Sequence, residues 1–142
     1  MKSLIRFLLL CLLSPAVVAM GGALVEAEVH AEAMKAWHAS DHRTAIGLWT
    51  QLAGAGDSQA SLFLGYVFRQ GLGVERDESL AADWYRQAAE GGEAEAQYEL
   101  ALMYELGIGV PRNPDQAAAW YGLATSESCP AELSAGGLLG DR

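Results

Sequence analysis

Apolar positions recur at three- and four-residue steps along most of the chain, the spacing of a helix with one buried stripe rather than the alternation of a strand. Ala60, Leu64 and Val67-Phe68 form one such stripe, and Leu80-Ala81, Trp84-Tyr85 and Ala88 form the next. Asp57 and Asp77 stand where N-caps belong, and Asn113-Pro114 supplies a cap followed by proline at the first helical position. Between paired stripes, Gln70-Gly71-Leu72-Gly73-Val74 and Leu106-Gly107-Ile108-Gly109-Val110 place glycines where a chain leaving a helix adopts positive φ at little steric cost. The prediction is an all-α chain of short paired helices.

The same pattern repeats at an offset of 36 residues. Gly56–Gly91 laid on Gly92–Glu127 pairs Gly56 with Gly92, Ala60 with Ala96, Leu64 with Leu100, Gly71 with Gly107 and Gly73 with Gly109. Trp84-Tyr85 falls on Trp120-Tyr121, and Val74, Arg76, Ala81, Ala82 and Ala88 likewise find their own kind. A fixed period of this length marks stacked supersecondary units, each burying its apolar face on a neighbour. We therefore divide residues 20–142 into a degenerate first helix pair over 25–54, repeats over 56–91 and 92–127, and a C-terminal cap over 128–142. In the first pair, Ala33, Ala45, Trp49 and Leu52 keep the spacing and Asp41 is placed to cap the second helix.

The combined pattern A-x-x-x-L-G-x-x-F-x-x-G-x-G-V-x-x-D followed by A-x-x-W-Y-x-x-A-A-x-x-G, from Gly56 to about Ser126, resembles the Sel1-like repeat family, a variant of the tetratricopeptide class. The second copy departs at Ala101, where the first has Gly65; alanine is small enough for close helix packing. The resemblance implies an α-α superhelix, a right-handed solenoid of helix pairs, with ligands held on the concave face made by the first helix of each pair. On that expectation the face presents His30, Met34, Trp37 and His38, then Gln59, Leu62, Tyr66, Arg69 and Gln70, then Glu95, Tyr98, Leu102, Glu105 and Leu106. Aromatic, aliphatic and charged side chains in this mixture suit a protein or peptide partner. Arg69, with Glu95 and Glu105 expected nearby, is the basic group placed to fix a partner's carboxylate. Tyr66, Arg69 and Tyr98 are expected to lie together. Trp49, Trp84, Tyr85, Trp120 and Tyr121 are read as core residues that lock one pair against the next.

The N-terminus changes the picture of where the chain works. Lys2 and Arg6 precede an apolar run from Phe7 to Leu13, and Val17-Val18-Ala19 supplies small residues at peptidase spacing, so residues 1–19 read as a secretory leader. The expectation is a periplasmic or secreted protein with no stable membrane insertion once the leader is removed. The formal charge of −9 becomes −11 when Lys2 and Arg6 leave, which argues against nucleic acid, because phosphate binding needs clustered cations. Cys11 leaves with the leader and Cys129 remains without a partner for an intramolecular disulfide.

Other chemistry finds little support. Carboxylates such as Asp83, Glu90, Glu93 and Glu95 are spread along helices as a solvated face, and no nucleophile, base and acid are grouped, so no catalytic residue and no cofactor is expected. Hydrolase activity on cell-wall-type substrates, described for cysteine-rich members of the resembled family, is an alternative that the absence of those cysteines weakens. The other alternative is copper handling, because His30, Met34 and His38 follow at steps of four and share one helix face.

Overall fold

A computed structural model describes residues 15–128, with side chains from 24 to 126. Its elements are α1 (Pro15–His38), α2 (His42–Gly54), α3 (Ser58–Gln70), α4 (Glu78–Glu90), α5 (Ala94–Leu106) and α6 (Pro114–Ser128), with no strand among the described residues. The fold class is all-α, of the α-α superhelix type. No described helix is long and apolar enough to cross a membrane. Most of the expected leader and nearly all of the expected C-terminal cap, Cys129 included, lie outside the described residues. Pro15–Ala19 is helical, and α1 starts on the proline, where its missing N–H has no helical acceptor to lose.

The structure divides into two compact units, residues 1–48 and 49–142. In the first, Ala33 and Ala45 are fully buried, and Trp37 lies 4.3 Å from His42, ring centre to ring centre. The turn between α1 and α2 passes through Ser40 at φ 64°, and the Thr44 N–H donates to Asp41 Oδ1 at 3.2 Å, the expected cap.

The second unit carries the period. Helices α3 to α6 pack each on the next, and Ala81, Ala82, Tyr85, Ala88 and Ala89 of α4 meet Ala96, Leu100 and Met103 of α5 in one core. Small residues on α4 bring the backbones close enough for few large side chains to fill the space. Side-chain caps start α3, α4 and α6. Asp57 Oδ1 accepts from the Ala60 N–H at 2.8 Å, Asp77 Oδ1 from Leu80 at 3.0 Å and Asn113 Oδ1 from Gln116 at 3.1 Å. Gly71 and Gly107 close α3 and α5 in the left-handed region, at φ 70° and 73°. Six residues on, Asp77 N–H returns to Phe68 O and Asn113 N–H to Tyr104 O. The G-x-G segments are thus connectors that hold the second helix of each pair on the first.

The aromatic residues expected in the core divide. Trp49 and Tyr85 are buried, but Trp84, Trp120 and Tyr121 are only half-buried. One residue is a 100° rotation on a helix, so with Tyr85 turned into the core, Trp84 falls at the edge of the stripe. Trp120 still packs against the α4–α5 core.

Candidate peptide-binding groove

The first helices of the two repeats, α3 and α5, enclose a groove of about 390 Å³. From α3 come Gln59, Leu62, Phe63 and Tyr66, one face at helical spacing, and from α5 come Glu95 and Glu99. Tyr85 of α4 forms its floor. The ring sits there because residue 65 is glycine: a Cβ at Gly65 would lie 2.7 Å from Tyr85 Cδ1. Phe63 is fixed from behind by Trp49, stacked at 5.0 Å and 17°.

In the next repeat Ala101 takes the place of Gly65, and the equivalent ring, Tyr121, lies nearer the surface. It packs on Tyr98 at 5.4 Å and donates its hydroxyl to Glu105 at 2.8 Å. Ala101 is itself fully buried, so alanine is accommodated in close packing at this position of the repeat.

Arg69 is also corrected. Its guanidinium is ion-paired with Glu99 and reaches the Tyr85 hydroxyl, so it braces α3, α4 and α5 instead of waiting for a partner's carboxylate beside Glu95 and Glu105. A second tie between repeats runs from Ser58 Oγ–H to Glu93 Oε1 at 2.8 Å. Glu93 occupies the N-cap of α5 without capping it by side chain, because its carboxylate is turned to α3.

Burial pushes the Tyr85 phenol up to about 12, the Glu99 carboxylate adds to the rise, and Arg69 pulls against it. The folded phenol therefore keeps its proton above the ordinary value near 10 at which the unfolded chain loses it. The resulting contribution to stability is complete below about pH 10 and is lost as pH rises toward 12. Urea melts across that interval should show a smaller loss of stability for Tyr85→Phe than for the natural chain; equal losses would place the ring in water.

Of the sequence-predicted residues, Gln59, Leu62, Tyr66 and Glu95 line the groove. Tyr98 is on the α5 side turned to α6, Leu102 is half-buried, and Gln70, Glu105 and Leu106 are exposed at the helix ends. Tyr66 and Tyr98 are 49% and 53% exposed and Leu106 58%, unusual for residues of this size. In the first unit His30, Met34 and Trp37 are half-buried and His38 is exposed on α1. Among the described residues no group of three or more His, Cys, Asp or Glu is placed to hold a metal ion. Phe63, Tyr85 and Glu99 are the groove residues that the sequence reading missed, although Phe63 and Glu99 follow Gln59 and Glu95 by one helical turn.

These repeats define a helical-repeat protein with a side-chain-lined groove between successive first helices. The Sel1 repeat profile matches residues 58–93 and 94–128, half of the chain, which belongs to the Sel1 repeat family. Members of this family typically act as protein–protein interaction scaffolds and are generally not catalytic. Among solved structures, a Sel1 repeat protein from Oxalobacter formigenes is similar at 31% identity and a TM-score of 0.65, over 70% of this chain and 41% of that one. c5321, a protective antigen of uropathogenic Escherichia coli with an SLR fold, is 32% identical over 61% of this chain, with a TM-score of 0.59. Cysteine rich protein B of Helicobacter pylori shares the fold at 20% identity and a TM-score of 0.60, over 65% of this chain and 69% of its own. The chain thus spans under half of the Oxalobacter protein and 18% of c5321. A search of curated proteins gives no match.

Proposed function

We propose that this chain is an exported, non-catalytic scaffold that holds a segment of another protein on the face formed by α3 and α5. The observation that carries the reading is the 390 Å³ groove with its aromatic walls, Tyr66 among them, with Tyr98 and Leu106 also exposed on α5. Aromatic side chains presented this way carry a large share of binding energy in protein interfaces, because they bury much area for little lost freedom. Export is supported by the leader-like N-terminus, and a role in envelope assembly or sensor regulation is consistent with it.

The test is affinity capture from the native envelope fraction by the full chain and by a Tyr66→Ala/Tyr98→Ala variant. Both side chains stand about half in solvent, so helicity should be kept and stability should fall by no more than about 1 kcal/mol. Recovery of the partner should drop at least tenfold. Undiminished recovery by a folded variant would move binding to another face.

A further inference from the structure

The groove joins apolar walls to a carboxylate, Glu95, that no cation among the described residues neutralises. Glu99 is spoken for by Arg69, but no Lys, Arg or His among the described residues is paired with Glu95, which is exposed at the groove's edge. Helix α5 carries Glu95, Glu99 and Glu105 and no basic residue, and α3 carries Arg69 alone. That one cation is itself held by Glu99 and faces Tyr85. The face is net negative on a chain of formal charge −9, so an acidic segment would meet repulsion there.

We propose that the segment bound between α3 and α5 is basic, and that one Arg or Lys side chain of it enters the groove. This rests on the binding role argued above and names its chemistry. The side chain's aliphatic stem would lie along Leu62 and Phe63, and its cation would meet Glu95. Long basic side chains suit such a site because the stem buries apolar area while the head keeps a polar partner. Arg69 contributes by neutralising Glu99, which leaves a single charge for the incoming group to match.

Four degenerate peptide pools with identical random flanks and a central Arg, Lys, Gln or Glu, passed over the immobilised full chain, test the proposal. The Arg and Lys pools should be retained about tenfold better than the Glu pool, a difference of the size expected for one charge-assisted contact. Glu95→Gln should cut that preference to about twofold, whereas Glu90→Gln, an exposed change on α4, should leave it. Retention of the Gln or Glu pool at the level of the Arg pool, abolished by Tyr66→Ala/Tyr98→Ala, would overturn the basic-partner inference and leave the binding face standing. Retention of no pool would overturn both.

Discussion

Gly109→Ala should cost roughly 3 kcal/mol or more, although it adds a single methyl group. Gly109 sits at φ +67°, where an L-residue is strained by about 1–2 kcal/mol. A Cβ there would also lie 2.1 Å from the Glu78 carbonyl oxygen and 2.9 Å from the Ser79 nitrogen. Those atoms are backbone at the start of α4, so the clash cannot be relieved by turning a side chain. The connector of the second repeat is thereby seated on the first, and the substitution should loosen the contact between them. Gly122→Ala is the control of opposite sign: a Cβ there meets nothing within 4 Å, and alanine inside a helix is better than glycine by about 0.5–1 kcal/mol. Thermal melts should show the first variant lowered by more than about 10 °C and the second unchanged or raised. Similar melting temperatures for both would mean the connector does not rest on α4.

Tyr85→Ala should destabilise the protein by about 3–5 kcal/mol, the range for emptying a buried aromatic site. The ring is 2% exposed, covers Gly65, and its hydroxyl faces Arg69, so its loss opens a cavity and frees a cation that also holds Glu99. Tyr121→Ala, the same position one repeat later, removes a half-exposed ring and should cost about 1 kcal/mol or less. Equilibrium urea unfolding of the two variants distinguishes them. Equal losses would mean that the two rings are buried alike, contrary to the difference in their exposure.

The contrast between these tyrosines shows where sequence reading stopped. The helix ends were legible because each depends on residues close in sequence: Asp57, Asp77 and Asn113 cap within three residues, and Gly71 and Gly107 close the helices they follow. The pairing of helices was legible from the 36-residue period. What an aromatic residue touches was not, because it depends on its neighbour across the helix pair. Trp84-Tyr85 and Trp120-Tyr121 are identical dipeptides, yet Tyr85 lies over Gly65 beside the groove that α5 helps to line, and Tyr121 lies half-buried against Tyr98. The partner of Arg69 was missed for the same reason: Glu99 lies 30 residues away on another helix, while the nearest charges by repeat arithmetic were Glu95 and Glu105. The candidate face was legible from its helical spacing, and its floor was not, since Tyr85 belongs to the second helix of the pair.

Site-directed photocrosslinking tests the claim that this face holds a protein segment most directly. A photoreactive phenylalanine analogue placed at Tyr66, at Tyr98 or at the exposed Glu90 of α4 would be irradiated in the native envelope fraction and the adducts compared by mass. The account predicts one discrete adduct shared by positions 66 and 98, absent at 90, and competed away by the unlabelled natural chain. Adducts at position 90 with none at 66 or 98 would contradict it.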